Sequence, residues 1–88
     1  MLTPTDLRLQ DAILENIGST YRTRSGQMIQ GQSISFLSEE LRYAGWKGVS
    51  NLNDLESTVE RLGFKMVEAQ LVYSDGRAPR RFARVVTL

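Results

Sequence analysis

Apolar side chains recur at helical spacing in three stretches of the 88-residue chain and alternate with polar ones in a fourth. At the start of the first stretch, Thr3 and Pro4 are typical of a helix cap and first turn, and Asp6 completes the spacing of a capping box. Gly18 is a stop signal. The apolar face between them consists of Leu7, Ile13, Leu14 and Ile17. The pattern therefore predicts a helix over residues 4–17.

The second helical stretch contains an apolar stripe that ends at a glycine. Ser33 and Ser35 are both good N-cap residues for it, and Gly45 is placed to end it in a left-handed turn. The stripe is made of Ile34, Leu37, Leu41 and Ala44. Trp46 follows the stop directly, and we expect it to cover the core between helices rather than to stack on a ligand.

A third helical stretch, over residues 51–62, begins a few residues later. Either Asn51 or Asn53 can cap it, because an acidic residue stands three positions after each of them. The buried stripe is predicted to contain Leu52, Leu55, Val59 and Leu62. Gly63 provides the stop, so the sequence predicts two helices joined by a short turn.

From Lys65 onward the hydrophobic period changes from helical to alternating, which is typical of a strand. Val67, Ala69, Leu71 and Tyr73 occupy every second position of this stretch, so they share one side of the predicted strand. Asp75 and Gly76 form a hairpin-turn sequence, and residues 82–88 are rich in β-forming residues. We therefore predict a two-stranded ribbon at the C-terminal end.

Cross-strand chemistry selects one register for this ribbon. Placing Tyr73 opposite Pro79 brings Glu68 opposite Arg84, a favourable pair of opposite charges. The same register sets apolar residues face to face, namely Val67 with Val85 and Ala69 with Ala83. The ribbon tip then consists of residues 74–78.

Residues 19–33 are polar and interrupted by glycines, so they are predicted to be mostly loop. A short strand is expected at residues 27–30, where Met28 and Ile29 are the only aliphatic residues of the segment. Arg22 and Arg24 are either solvated loop charges or additional contacts to phosphate.

The order of these elements resembles the winged-helix family, most of whose members bind DNA. In that family a three-helix core with a helix-turn-helix carries a C-terminal β-hairpin, the wing, and a short strand lies between the first two helices. The resemblance implies an α+β fold in one domain over residues 1–88. It also implies a transcription regulator whose helix 51–62 enters the major groove of double-stranded DNA while an arginine-rich wing holds the backbone.

The same resemblance places candidate DNA contacts on the third helix, at its start and on the wing. An Asn side chain can bond adenine through two hydrogen bonds, an Arg can do so with guanine, and wing arginines reach phosphates. The candidate DNA-binding residues are Lys47, Ser50, Asn51, Asn53, Ser57, Thr58, Arg61, Arg77, Arg80 and Arg81.

Charge is unevenly distributed along the chain. Residues 31–60 carry two basic and five acidic side chains, whereas residues 61–88 carry six basic and two acidic ones. The basic end suits contact with phosphate. It equally suits a solvated ribbon whose charges keep an edge strand from aggregating.

The third helix departs from what a DNA-reading helix usually shows, because phosphates repel its carboxylates. It carries Asp54, Glu56 and Glu60 against Arg61 alone. Either the carboxylates lie on the flanks and the wing supplies most of the affinity, or the domain is a protein-interaction module. Phage- or plasmid-type regulators, antirepressors and subunits of complexes use the fold in this second way, and the acidic face would then meet a protein partner.

Cysteine and histidine are both absent, which removes the commonest zinc ligands, the usual nucleophilic thiol and the commonest general base. We therefore expect no enzyme, no bound metal and no cofactor. No segment suits a secretory signal or a membrane span, so a cytoplasmic protein without a membrane partner is expected. Because one small domain contacts few phosphates, DNA binding favours a homodimer, with the first helix and residues 85–88 as its candidate interface.

Overall fold

Three helices and a four-stranded antiparallel sheet make up the computed structural model, which describes residues 1–88. The elements in chain order are α1 (Pro4–Asn16), β1 (Ser19–Thr23), β2 (Met28–Ser33), α2 (Ile34–Tyr43), α3 (Leu52–Arg61), β3 (Lys65–Leu71) and β4 (Phe82–Thr87). The predicted α+β class and the three predicted helices are confirmed. The sheet has two more strands than the predicted ribbon.

Each helix begins at a side chain that satisfies a free backbone N–H group. The Thr3 hydroxyl accepts from the Asp6 amide at 3.1 Å, and the Asp6 carboxylate accepts from the Thr3 amide at 3.1 Å, which completes the predicted capping box. Ser33 caps α2 by accepting from the Phe36 amide at 3.3 Å. The Asn51 side chain accepts from the Asp54 amide at 3.1 Å and caps α3. Ser33 and Asn51 are thus the caps, and Ser35 and Asn53 are not.

The two helices of the central pair end at glycines, as predicted. Gly45 and Gly63 adopt φ values of 96° and 100°, which an L side chain rarely tolerates. In both turns the amide after the glycine donates back to the helix: Trp46 to the Leu41 carbonyl and Phe64 to the Val59 carbonyl, each at 3.0 Å. Helix α1 ends at Asn16, one residue before the predicted limit.

The apolar face predicted for α1 was partly wrong. Leu9 and Ile13 are its buried residues, and Ile17 is buried just beyond it, whereas Leu7 and Leu14 are about half exposed. One residue corresponds to a rotation of about 100° around a helix, so Leu14 cannot share the face of Ile13. Two further stripe residues were misplaced: Leu52 and Ala44 are exposed.

The segment predicted to be mostly loop forms a hairpin. Strand β1 pairs with β2 between Ser19↔Gly31 and Arg22↔Met28, and it also pairs with β3 between Tyr21↔Leu71 and Thr23↔Ala69. The predicted strand at residues 27–30 exists, but it extends to Ser33 as β2. Strand β1 has the sequence Ser-Thr-Tyr-Arg-Thr, of which only Tyr21 is buried, so it lacks an apolar pattern that reveals it.

The four strands close on themselves in the order β1-β2-β4-β3. The predicted register of the β3–β4 ribbon is confirmed, since Glu68 pairs with Arg84 and the two expected apolar pairs also form. The ladder stops at Gln70↔Phe82, so the ribbon tip spans residues 72–81 rather than 74–78. Gly31 permits the close β2–β4 approach, because a Cβ there would lie 2.6 Å from the Val86 carbonyl oxygen.

Alternation in β4 separates two cores. Val86 joins the cluster between the helices, and Trp46 packs against the same cluster, as predicted. Val85 instead lies inside the closed sheet with Tyr21 and Ala69. Val85, Val86 and Thr87 are therefore buried within the chain itself, and only Leu88 of the predicted C-terminal interface is exposed. No helix combines the length and the apolar character that crossing a bilayer requires.

Candidate nucleic-acid interface

Helix α3 presents a polar face to solvent, opposite the buried Leu55 and Val59. Asn53 and Ser57 lie on that face and are exposed. The Ser57 hydroxyl donates to the Asn53 carbonyl at 3.2 Å, so its proton is already used within the helix. The half-buried Thr58 hydroxyl is used in the same way, donating to the Asp54 carbonyl at 3.0 Å. The Asn53 carboxamide is consequently the side chain of this face with both donor and acceptor groups available.

The start of α3 contributes fewer free groups than the sequence suggested. Lys47 and Ser50 are exposed in the turn between α2 and α3. The Asn51 side-chain oxygen caps the helix, so it is not available for a ligand. Lys47 therefore supplies the positive charge in this turn.

Arg61 is held by the first helix. Its two terminal nitrogens donate to the two carboxylate oxygens of Asp6 at 3.1 and 3.0 Å, a bidentate geometry that joins α1 to α3. The guanidinium keeps the pKa of the Asp6 carboxyl far below its usual value, and Asp6 in turn raises the pKa of Arg61. Any contact between Arg61 and a base must compete with this ion pair.

The three carboxylates of α3 have different surroundings. Glu56 accepts from Arg84 of β4 at 2.9 Å, and this bond raises the pKa of Arg84. The Glu56 carboxylate is therefore directed to the ribbon flank and its charge is compensated. Asp54 and Glu60 are exposed, and neither forms an ion pair. The acidic character of α3 towards solvent comes from these two residues.

Two of the ribbon-tip arginines contact the same aromatic side chain, Tyr73. The guanidinium carbon of Arg77 lies 4.1 Å from the centre of the Tyr73 ring, and Arg77 also forms an ion pair with Asp75 at 2.7 Å. Arg80 donates to the Tyr73 hydroxyl oxygen, with its guanidinium carbon 5.9 Å from the same ring. Cation–π contacts of this kind hold a guanidinium without neutralising it.

Arg80 and Arg81 have no carboxylate partner. Their backbone is nevertheless fixed to the end of β3. The Arg80 amide donates to the Leu71 carbonyl at 3.3 Å, and the Gln70 side chain donates to the Arg80 carbonyl at 3.1 Å. The two adjacent, uncompensated positive charges are thus carried on an anchored segment.

Arg24 and Arg84 take part in this surface in ways that sequence reasoning did not find. Glu68 and Arg84 are cross-strand neighbours as predicted, but their charges have other closest partners. Glu68 pairs with Arg24 at 2.9 Å, and Arg24 also lies 4.1 Å from the centre of the Phe82 ring. These partners depend on the β1–β3 pairing and on the approach of α3, neither of which has a signal in the local sequence.

The Glu56–Arg84 bond places α3 directly beside the outer face of the ribbon. Arg84 and Arg81 are three residues apart, which corresponds to about 10 Å in extended chain. Arg84 thus joins α3 to the ribbon, the tip arginines lie further along the same segment, and Arg61 lies against α1 instead. Compared with protein-family models, with curated proteins and with solved structures, the chain matches none of them.

Proposed function

We propose that this chain is a small DNA-binding protein of the winged-helix type that acts as a transcription regulator. In this proposal the β3–β4 ribbon is the wing, α2 and α3 form the helix-turn-helix, and β2 is the short strand between the first two helices. Strand β1 is an addition that pairs with the free edge of the wing. The single observation that carries the proposal is the pair of uncompensated charges, Arg80 and Arg81, fixed at the tip of the ribbon whose Arg84 bonds to α3.

The wing supplies most of the affinity. Guanidinium groups bind phosphate oxygens through two parallel hydrogen bonds, and Arg80 and Arg81 have no internal carboxylate to give up. Arg77 makes a third contact if it exchanges Asp75 for a phosphate while it remains stacked on Tyr73. Such contacts position the protein on the duplex but carry no sequence information.

Helix α3 supplies sequence discrimination through its outer face. The Asn53 carboxamide is free to bond adenine, and the Glu56 charge is compensated by Arg84. Asp54 and Glu60 weaken the approach of α3 to phosphates, because both are exposed and unpaired. We therefore expect modest discrimination by α3 and binding that weakens with salt in proportion to the two or three arginine contacts.

A titration by fluorescence anisotropy with a mixed-sequence duplex at low ionic strength tests the proposal. Arg80→Ala combined with Arg81→Ala should weaken binding to every duplex. It should also reduce the slope of log K against log salt by about two units, at about 0.9 per lost phosphate contact. Arg8→Ala combined with Arg42→Ala is the matched control, because both arginines are exposed and lack a carboxylate partner. If the control pair lowers the slope equally, the wing is not the binding element.

A second candidate function follows from the acidic side of α3. Asp54 and Glu60 are exposed without ion pairs, which suits a basic protein partner better than a duplex. On this alternative the chain has no measurable duplex affinity at low salt. A partner captured by the intact domain should then be lost on Glu60→Gln and retained on Glu15→Gln, a change to an exposed carboxylate of α1.

A further inference from the structure

An open cleft of about 390 Å³ lies where the ribbon tip meets the beginning of α2. Arg80 and Arg81 line one side, and Ser33, Ser35 and Phe36 from the start of α2 line another. Its volume is within the range of about 300–1,000 Å³ that small-molecule sites occupy. No residue that the candidate DNA surface places on α3 belongs to this cleft.

The charge of the cleft is unbalanced. Its lining contains two arginines and no acidic residue. Four other arginines of the chain form ion pairs with Asp or Glu, whereas the two in the cleft have no such partner. Both arginines are exposed, and an anion bound in the cleft would compensate their charge.

Hydroxyl groups add donors to the same space. Ser19, Ser33 and Ser35 all line the cleft. The Ser33 oxygen accepts from the Phe36 amide as the helix cap, which leaves its own proton free to donate. The floor beneath is rigid, because the buried Tyr21 hydroxyl donates to the Gln32 side chain at 2.9 Å and accepts from the Ser33 amide at 3.1 Å.

Apolar groups complete the lining and indicate the chemistry of the rest of the ligand, beyond its anionic group. The Phe36 ring is 46% exposed, and Leu71 and Ala83 stand with it around the cleft. An exposed ring beside charged donors suits a ligand with a planar body joined to an anionic group, since aromatic rings stack well. Nucleotides combine these two parts.

We propose that the cleft binds the phosphoryl group of a nucleotide. Arg80 and Arg81 contact the phosphoryl oxygens, the serine hydroxyls donate to them, and the Phe36 ring stacks on the base. The phosphoryl group comes either from a free mononucleotide or from a nucleic-acid strand. The site shares both arginines with the proposed wing contact, but a mononucleotide needs neither α3 nor duplex binding.

Amide chemical shifts of the full ¹⁵N-labelled chain test this site directly. The probes are deoxyadenosine 5′-monophosphate, deoxyadenosine without phosphate, and a short mixed-sequence duplex, each titrated at low salt. We expect the monophosphate to shift the amides of Ser19, Ser35 and Ala83, and the unphosphorylated nucleoside to leave them in place. Arg81→Gln should weaken this binding about tenfold, in line with the loss of a hydrogen bond to a charged group. Arg42→Gln is the control and should bind like the unchanged chain.

Ser35→Ala is a second variant that keeps both arginines. It should weaken binding of the monophosphate by a smaller factor, about threefold, because one hydroxyl donor is lost while both positive charges remain. Spectra of each variant without ligand must retain the chemical-shift dispersion of the folded chain. We expect them to do so, because the arginine and serine side chains are on the surface, where such changes are tolerated.

The outcomes separate the source of the phosphoryl group. Shifts of the cleft amides with the duplex but not with the monophosphate, lost in Arg81→Gln, identify a nucleic-acid strand as the source. If the monophosphate shifts the cleft amides and the duplex does not bind, the nucleotide site is supported and the proposed DNA-binding function is ruled out. The inference is overturned if neither the monophosphate nor the duplex shifts the cleft amides. It is also overturned if deoxyadenosine shifts them as much as the monophosphate does, or if Arg81→Gln does not weaken binding. Duplex binding that shifts only α3 and residues 75–78 would leave DNA binding in place while overturning the cleft.

Discussion

Twelve buried side chains fill the cluster between the helices and β4, whereas only three fill the interior of the closed sheet. The helix side is therefore stabilised mainly by apolar burial. The sheet side relies more on close backbone approach at Gly31 and on the hydrogen bonds of Tyr21. This sparsely packed side also carries Arg80 and Arg81, which have no carboxylate partner. The comparison indicates that the candidate binding surface is built on hydrogen-bonded backbone and not on a deep core.

Strand β4 connects the two regions, because Val86 faces the helices and Val85 faces the interior of the sheet. A change in either core is therefore transmitted to the other through one strand. Unfolding should be a single cooperative transition, as in most domains of this size.

Leu55→Ala should have the largest effect on stability. Leu55 is only 1% exposed and belongs to the helix-side core, so its truncation leaves a cavity. Losses of about 2–5 kcal/mol are typical for such changes, which threatens a domain of ordinary stability. Chemical denaturation followed by circular dichroism measures the loss. Leu52→Ala is the control, because Leu52 is on the same helix but 39% exposed, and an equal loss there would show that the buried stripe is misassigned.

Gly31→Ala tests the backbone approach on the sheet side. A Cβ at Gly31 would meet the Val86 carbonyl oxygen at 2.6 Å and a Val85 methyl carbon at 2.7 Å. Strand β2 must move away from β4, and overpacking of this kind costs about 1–3 kcal/mol. Gly18→Ala is the matched change, because nothing lies within 4 Å of a Cβ there. If Gly31→Ala leaves the free energy of unfolding unchanged, the close β2–β4 contact is contradicted.

Sequence patterns predicted the helix side better than the sheet side. Caps and stop signals are local, so Thr3, Gly45 and Gly63 marked helix ends that the structure confirms. The pairing of β1 is not local: it depends on β3, nearly fifty residues later, and its single buried residue is Tyr21. A polar segment of this kind looks like a loop until its partner strands are known.

The candidate site was predictable in part for the same reason. The β3–β4 register followed from side-chain alternation and from the pairing of side chains across two strands that are close in sequence. Which charges compensate one another did not follow from local patterns. Arg61 is bound by Asp6 on α1, and Arg84 by Glu56 on α3, and both pairs join elements distant in the sequence. Only the folded chain distinguishes these arginines from Arg80 and Arg81.

Tyr21→Phe removes a smaller, polar part of the sheet-side structure. The lost hydroxyl bridges the Gln32 side chain and the Ser33 amide, and Ser33 caps α2. The expected loss is about 1 kcal/mol, the usual net value of a hydrogen bond, because the ring still fills the sheet interior. Denaturation midpoints should decrease without a change in the denaturant slope. Tyr43→Phe, a change at a fully exposed tyrosine, should leave the midpoint unaltered.

The ion pair between Asp6 and Arg61 should produce the smallest effect, and that effect should depend on pH. The guanidinium lowers the pKa of the Asp6 carboxyl in the folded chain, whereas an unfolded Asp has a pKa of about 3.9. A carboxyl with a lowered folded pKa contributes stability that is fully present above the unfolded pKa and is lost as pH falls towards the folded one. Asp6→Asn should therefore destabilise the chain at neutral pH, and the difference from the unchanged chain should shrink as the pH is lowered below about 4.

Asp11→Asn, at an exposed carboxylate of the same helix without an ion pair, should show no such convergence. If the Asp6→Asn difference stays constant from neutral pH into acid, the pair does not join α1 to α3 in solution, and Arg61 is as free as Arg80 and Arg81. The denaturation series from neutral pH into acid thus tests whether Asp6 holds Arg61 against α1 or leaves it available to a ligand.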